Sequence, residues 1–107
     1  MAAPGLTMQL HPKRLVVILC EAVLEPLLVA DCERLGAHGY TVMDGRGGGR
    51  RGARAATWDA DRSIRMEVIC DDATAKAILE HLHQRYFTNY AMTVFAADIG
   101  VLRADKF

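Results

Sequence analysis

An α+β fold of order β-α-β-β-α-β is predicted by three features of the chain. These are an unbroken apolar run at 15–20, an alternation at 64–70 in which every second residue is apolar, and two stretches with apolar residues at helical spacing, each lying between strand-like runs. Leu15-Val16-Val17-Ile18-Leu19-Cys20, rich in β-branched residues and preceded by Lys13 and Arg14, reads as a strand buried on both faces. Leu24, Leu27, Leu28, Asp31, Cys32 and Leu35 then fall at helical spacing. Pro26 fits only a first turn, and Gly36 or Gly39 supplies a left-handed stop. Tyr40-Thr41-Val42-Met43 opens a second strand with strong β formers.

Ile64, Met66, Val68 and Cys70 alternate with Arg65, Glu67 and Ile69, as in a strand with one face on a core. Asp71 or Asp72 is placed to cap a second helix, in which Ala75, Ile78, Leu79, Leu82 and Tyr86 form an apolar stripe opposite Lys76, Glu80 and His83. Phe87-Thr88-Asn89 ends that helix, and Ala91 to Ala97 is a last strand with a short extension through Val101 and Leu102 before the polar tail 103–107. This order is the split βαβ arrangement of ferredoxin-like sandwiches, with an antiparallel sheet. Two right-handed crossovers place both helices on one face.

Residues 44–62 break the regular plan, because hairpin connections usually take about 2–5 residues and longer structureless stretches tend to be functional. Between Asp44 and Arg54 stand Gly45, Gly47, Gly48, Gly49 and Gly52 among Arg46, Arg50, Arg51 and Arg54, with no further acid. Glycine lets backbone N–H groups turn toward one ligand, and arginine adds a planar fork matched to phosphate or carboxylate oxygens. A small anion, above all a nucleotide, is the expected ligand. Trp58 in the same stretch suits a partner anchor or a lid.

With 107 residues the chain has the size of one domain, 1–107. Lys plus Arg and Asp plus Glu both number 13, so no overall field draws it to nucleic acid or a membrane. Cys20, Cys32 and Cys70, odd in number and set in apolar surroundings, fit buried free thiols in a reducing compartment. No apolar run reaches the roughly 20 residues of a membrane span and no signal-peptide pattern opens the chain, so a cytoplasmic location is expected. No metal site is expected from His81, His83 and Cys70, since residues i and i+2 on a helix point about 200° apart. No catalytic residue is expected either, because Cys20 has no cationic neighbour to activate it. Two alternatives remain open: an RNA-binding module that uses the Arg-Gly stretch, and a weak nucleotide phosphatase.

From Leu15 to about Leu102 the chain resembles the PII-like signalling proteins, in particular the branch associated with carboxysomes and the regulation of bicarbonate transporters. The resemblance rests on the first apolar run ending in Cys20-Glu21, on Gly36-Ala37-His38-Gly39-Tyr40-Thr41-Val42-Met43, on the glycine-rich loop with Arg51 and Arg54, and on Tyr86-Phe87-Thr88-Asn89-Tyr90-Ala91. It implies a non-enzymatic homotrimeric regulator whose loop 44–62, the family's T-loop, senses ligand and touches a target such as a bicarbonate transporter or a carboxysome component. It implies adenine nucleotides in the clefts between subunits and no prosthetic group. Gly39, Tyr40, Thr41 and Val42 would line adenine and ribose, Gly47, Gly49, Arg51 and Arg54 would gather phosphates, and Asn89 and Tyr90 would face the ligand. Bicarbonate would lie at the loop base near Gly45, Arg46 and Arg51.

Nitrogen-sensing relatives carry a glycine- and lysine-bearing turn before the last strand, whereas this chain has Tyr86 to Tyr90 there. That departure favours AMP, ADP or a cyclic nucleotide over ATP with magnesium. Neither a 2-oxoglutarate response nor a redox switch in a cysteine-bearing tail is expected.

Overall fold

β1 runs from His11 to Glu21, four residues further back than the apolar run. Its early residues pair with the last strand before pairing on the other side begins at Arg14, so Pro12 occupies an edge position, where a sheet tolerates a missing N–H. The computed structural model describes residues 8–49, 52–53 and 62–107. After β1 come a 3-10 turn (Ala22–Leu24), α1 (Glu25–Arg34), β2 (Thr41–Gly45), β3 (Gly48–Gly49), β4 (Gly52–Ala53), β5 (Ser63–Cys70), α2 (Asp72–Arg85), β6 (Thr93–Val101) and a 3-10 turn (Ala104–Lys106).

The main sheet has the order β2-β5-β1-β6, with every neighbouring pair antiparallel. The predicted topology is thus the observed one. Val16, Ile18 and Cys20 of β1 and Ile64, Met66, Val68 and Cys70 of β5 pack with Leu28 and Cys32 of α1 and Ala75, Ile78, Leu82 and Tyr86 of α2 in one core. Pro26 lies in the first turn of α1, where its missing N–H has no intrahelical partner to lose. Gly36, at φ 110°, makes the left-handed exit from α1.

Four local expectations are corrected. β2 continues through Asp44 and Gly45, so these belong to the sheet and not to the loop. The loop is not structureless either, since β3 and β4 pair as Gly48 with Ala53 and Gly49 with Gly52. The last strand starts at Thr93, not Ala91, and holds its pairing to Val101. Asp71 stands at the N-cap position of α2, but its carboxylate makes no capping bond and is taken by Lys13 Nζ at 2.5 Å. A full positive charge at that distance outcompetes a backbone N–H.

The face of the sheet away from the helices mixes apolar residues with Arg65 and Glu67 and, among the described residues, carries no second layer. The register sets Leu15, Val17 and Leu19 of β1 beside Ile69, Glu67 and Arg65 of β5 and Ala97, Phe95 and Thr93 of β6. Val17 is fully buried although it lies outside the core beneath the helices. In its row Val17 lies between Glu67 and Phe95, and Arg65 arches to both, its Nε donating to Glu67 Oε2 at 3.0 Å while its guanidinium stands 5.8 Å from the Phe95 ring centroid. The ring itself stays 44% exposed.

Candidate functional site

The glycine-rich loop springs from β2 and returns into β5, the two strands being held in register down to Gly45 opposite Ser63. Arg62 donates to Asp44 at 3.0 Å, and Ala22 N–H bonds the Arg62 carbonyl, so the returning leg is tied to both β2 and the end of β1. Beyond this frame Arg46 and Gly47 are exposed. Gly45 and Gly47 do not adopt the left-handed backbone that glycine enrichment suggested; among the described residues Gly36 alone does. A Cβ built on Gly39 or Gly47 meets nothing within 4 Å, so there the missing side chain leaves open space for an incoming group. Gly49 sits in the β3 and β4 ladder. Arg50, Arg51, Arg54 and Trp58 lie outside the described residues.

The other expected ligand residues fall into two groups. Gly39 and Tyr40 precede β2, Thr41 and Val42 open it, and all but the half-buried Val42 are exposed. Asn89 and Tyr90 lie in the exposed turn after α2. Because β2 and β6 are opposite edges of the sheet, three strand spacings, about 14 Å, separate the groups. Register sharpens this, since Met43, Arg65, Leu19 and Thr93 share one row across the sheet. The turn before Thr93 therefore stands at the loop-base end of the sheet, and Gly39 and Tyr40 stand toward the other. Within one chain the structure brings Asn89 and Tyr90 to the same end as Gly45 and Arg46, and does not bring them to Gly39 and Tyr40.

Sequence reasoning missed a polar cluster behind that turn. Tyr86 O–H donates to Asp31 Oδ2 at 2.5 Å, His81 Nε2 lies 2.9 Å from the same oxygen, and Arg34 donates to Oδ1 at 3.3 Å. His81 meets the Tyr86 ring edge to face, with centroids 6.0 Å apart. Burial alone would raise the Asp31 carboxyl, but the bond from Tyr86 and the adjacent His81 outweigh it and hold it below its ordinary range. Burial, then the bond to Asp31, pushes the Tyr86 hydroxyl up to about 12.

A hydroxyl raised in the folded state keeps its contribution below the unfolded value, near 10, and loses it as pH climbs through the folded one. Absorbance titration should therefore show one of the three tyrosines ionising late, near pH 12, with that phase missing in Tyr86→Phe. The only available signal in the sequence was Asp31 among the apolar positions of the first helix, and its partner lies 55 residues away.

All three cysteines are buried free thiols, as expected. Burial and the nearby Glu21 and Glu25 push Cys20 up to about 11, and burial with Asp31 pushes Cys32 up to about 12, so neither thiol is poised as a nucleophile. Among the described residues no group of three His, Cys, Asp or Glu could hold a metal, and His83 is exposed beside Phe87. No helix among them is long and apolar enough to cross a membrane.

A family profile for nitrogen regulatory protein P-II matches residues 13–106. Among solved structures, a PII-like signalling protein of Thermus thermophilus is 40% identical, with a TM-score of 0.82 over 94% of this chain and 99% of the other. CPII of Thiomonas intermedia, crystallised with ADP and bicarbonate, is 25% identical with a TM-score of 0.83 over 94% and 99%. A second structure of CPII, bound to ADP, AMP and bicarbonate, also gives 25% identity and 0.83, over 94% and 98%. With the β2-β5-β1-β6 sheet, the paired helices and the loop between β2 and β5, these matches show that the chain belongs to the nitrogen regulatory protein P-II family, as a PII-like signalling protein.

Proposed function

We propose that this protein is a binding regulator, not an enzyme, that senses ADP and AMP with bicarbonate as a second ligand, and that it controls inorganic-carbon uptake or carboxysome function through residues 44–62. The observation that carries this reading is the arginine- and glycine-rich loop, mounted on two registered strands in the same fold that in CPII was crystallised with ADP and bicarbonate. Arg51 and Arg54 supply planar forks for phosphate oxygens, and Gly45 with Arg46 leaves backbone and guanidinium donors for a planar oxyanion. Asn89 and Tyr90 face the nucleotide from the same end of the sheet.

Assembly into a homotrimer supports the site from both sides. The open face of the sheet needs cover, and the β2 edge of one copy can meet the loop base and turn of the next, closing the gap between Gly39 to Val42 and Asn89 to Tyr90. A nucleotide biases the loop only through its differential affinity for two arrangements. A hundredfold preference amounts to about 2.7 kcal/mol, within reach of two charge-assisted contacts.

Calorimetry with AMP, ADP, ATP and bicarbonate on the wild type and on Arg54→Ala tests the reading. ADP and AMP are expected to bind, with affinity about tenfold or more weaker in Arg54→Ala. Wild-type heats that persist unchanged in the variant remove Arg54 from the site. Silence with every nucleotide removes the reading itself.

A further inference from the structure

The turn that carries Asn89 and Tyr90 is exposed, yet it hangs from a residue that is only 3% exposed. The Tyr86 carbonyl accepts both amides that shape it, Asn89 N–H at 3.1 Å and Tyr90 N–H at 2.9 Å. The Tyr86 ring also stands 6.0 Å from that of Tyr90. Tyr86 closes α2, since its N–H makes the last helical bond to Leu82 at 3.0 Å. Helix ends fray unless something outside the helix holds them. Here the holder is on another helix, because the Tyr86 hydroxyl reaches Asp31 of α1, which also receives His81 from one turn back along α2 and Arg34 from its own helix. Asp31 thus gathers contacts from both helices at one point, and its side chain is 18% exposed.

We infer that Asp31 is a positioning residue for the ligand-facing turn: by fixing Tyr86 it sets the two amides of Asn89 and Tyr90, and so the surface that the nucleotide meets. The inference rests on the nucleotide reading for its consequence in binding, but not for its effect on the turn. The influence of Asp31 runs through one hydrogen bond, one buried ring and one shared carbonyl.

Tyr86→Phe keeps the ring and removes only the hydroxyl, and Asp31→Asn keeps the shape while removing the charge. Each is expected to weaken ADP binding about tenfold, the size of one lost charge-assisted bond, and to speed amide exchange at Asn89 and Tyr90 while β5 amides keep their wild-type protection. Asp72→Asn, at the far end of α2, should leave both readings unchanged. Wild-type ADP affinity and wild-type exchange at Asn89 and Tyr90 in Tyr86→Phe would overturn the inference, as would exchange that rises equally throughout β5. If the wild type does not bind ADP, the nucleotide reading fails, and the exchange measurement still decides whether Asp31 positions the turn.

Discussion

Phe95→Asp is expected to convert the proposed trimer into folded single chains of 11.8 kDa, read by light scattering, and to abolish ADP binding at the same time. The ring stands on the open face of the sheet beside Val17, with Leu15 and Leu19 on either side of it along β1 and the Arg65 guanidinium against the ring. Met43, on the β2 edge of the same face, is 38% exposed. An exposed aromatic ring and methionine together on one uncovered sheet face suit a contact surface. A carboxylate there would be buried in every copy at once, which costs several kcal/mol for each unpaired charge. The fold itself should survive, because Phe95 lies outside the core between sheet and helices. Val23→Asp, in the 3-10 turn after β1 at a position that is 63% exposed, should leave the mass unchanged. Retention of ADP binding by a monomeric Phe95→Asp would show that one chain suffices for the site, against the separation of its two groups on opposite edges.

Ile18→Ala should lower folding stability by about 2–5 kcal/mol, measured by chemical denaturation at fixed protein concentration. Ile18 is fully buried, lies on the central strand between Met66 and Val94, and faces both helices. The cavity would open where sheet and helices meet, and a loss of that size is a large fraction of the roughly 5–15 kcal/mol that holds a domain. Leu27→Ala, on the exposed side of α1, should stay within about 0.5 kcal/mol of the wild type. A loss from Ile18→Ala no larger than that of Leu27→Ala would contradict the placement of the core.

The topology was legible because periodicity records burial. The alternation of β5 survives residue for residue in its buried positions, and the stripe of α2 is the stripe that packs. The central place of β1 was legible in its unbroken run, but burial on both faces holds only at Val17, since Leu15 and Leu19 on the open face are half-buried. The surroundings of Val17 were not legible, since an arginine lying across a phenylalanine depends on the register of three strands. Asp71 misled for a related reason: its type and position suit a cap, and only the fold brings Lys13 to it.

The ligand residues were named from resemblance, and the spacing of motifs along the chain could not tell that β2 and the turn before β6 stand on different edges. Asp31 escaped notice because a carboxylate at a helical spacing point carries no mark of a partner 55 residues away.

The arch of Arg65 bears on the life of the newly folded chain. A newly made polypeptide would otherwise display a bare valine on an uncovered sheet, an invitation to clumping. With the Arg65 guanidinium reaching both Glu67 and Phe95, its two neighbours in the row, the freshly folded chain keeps that valine out of solvent while it diffuses.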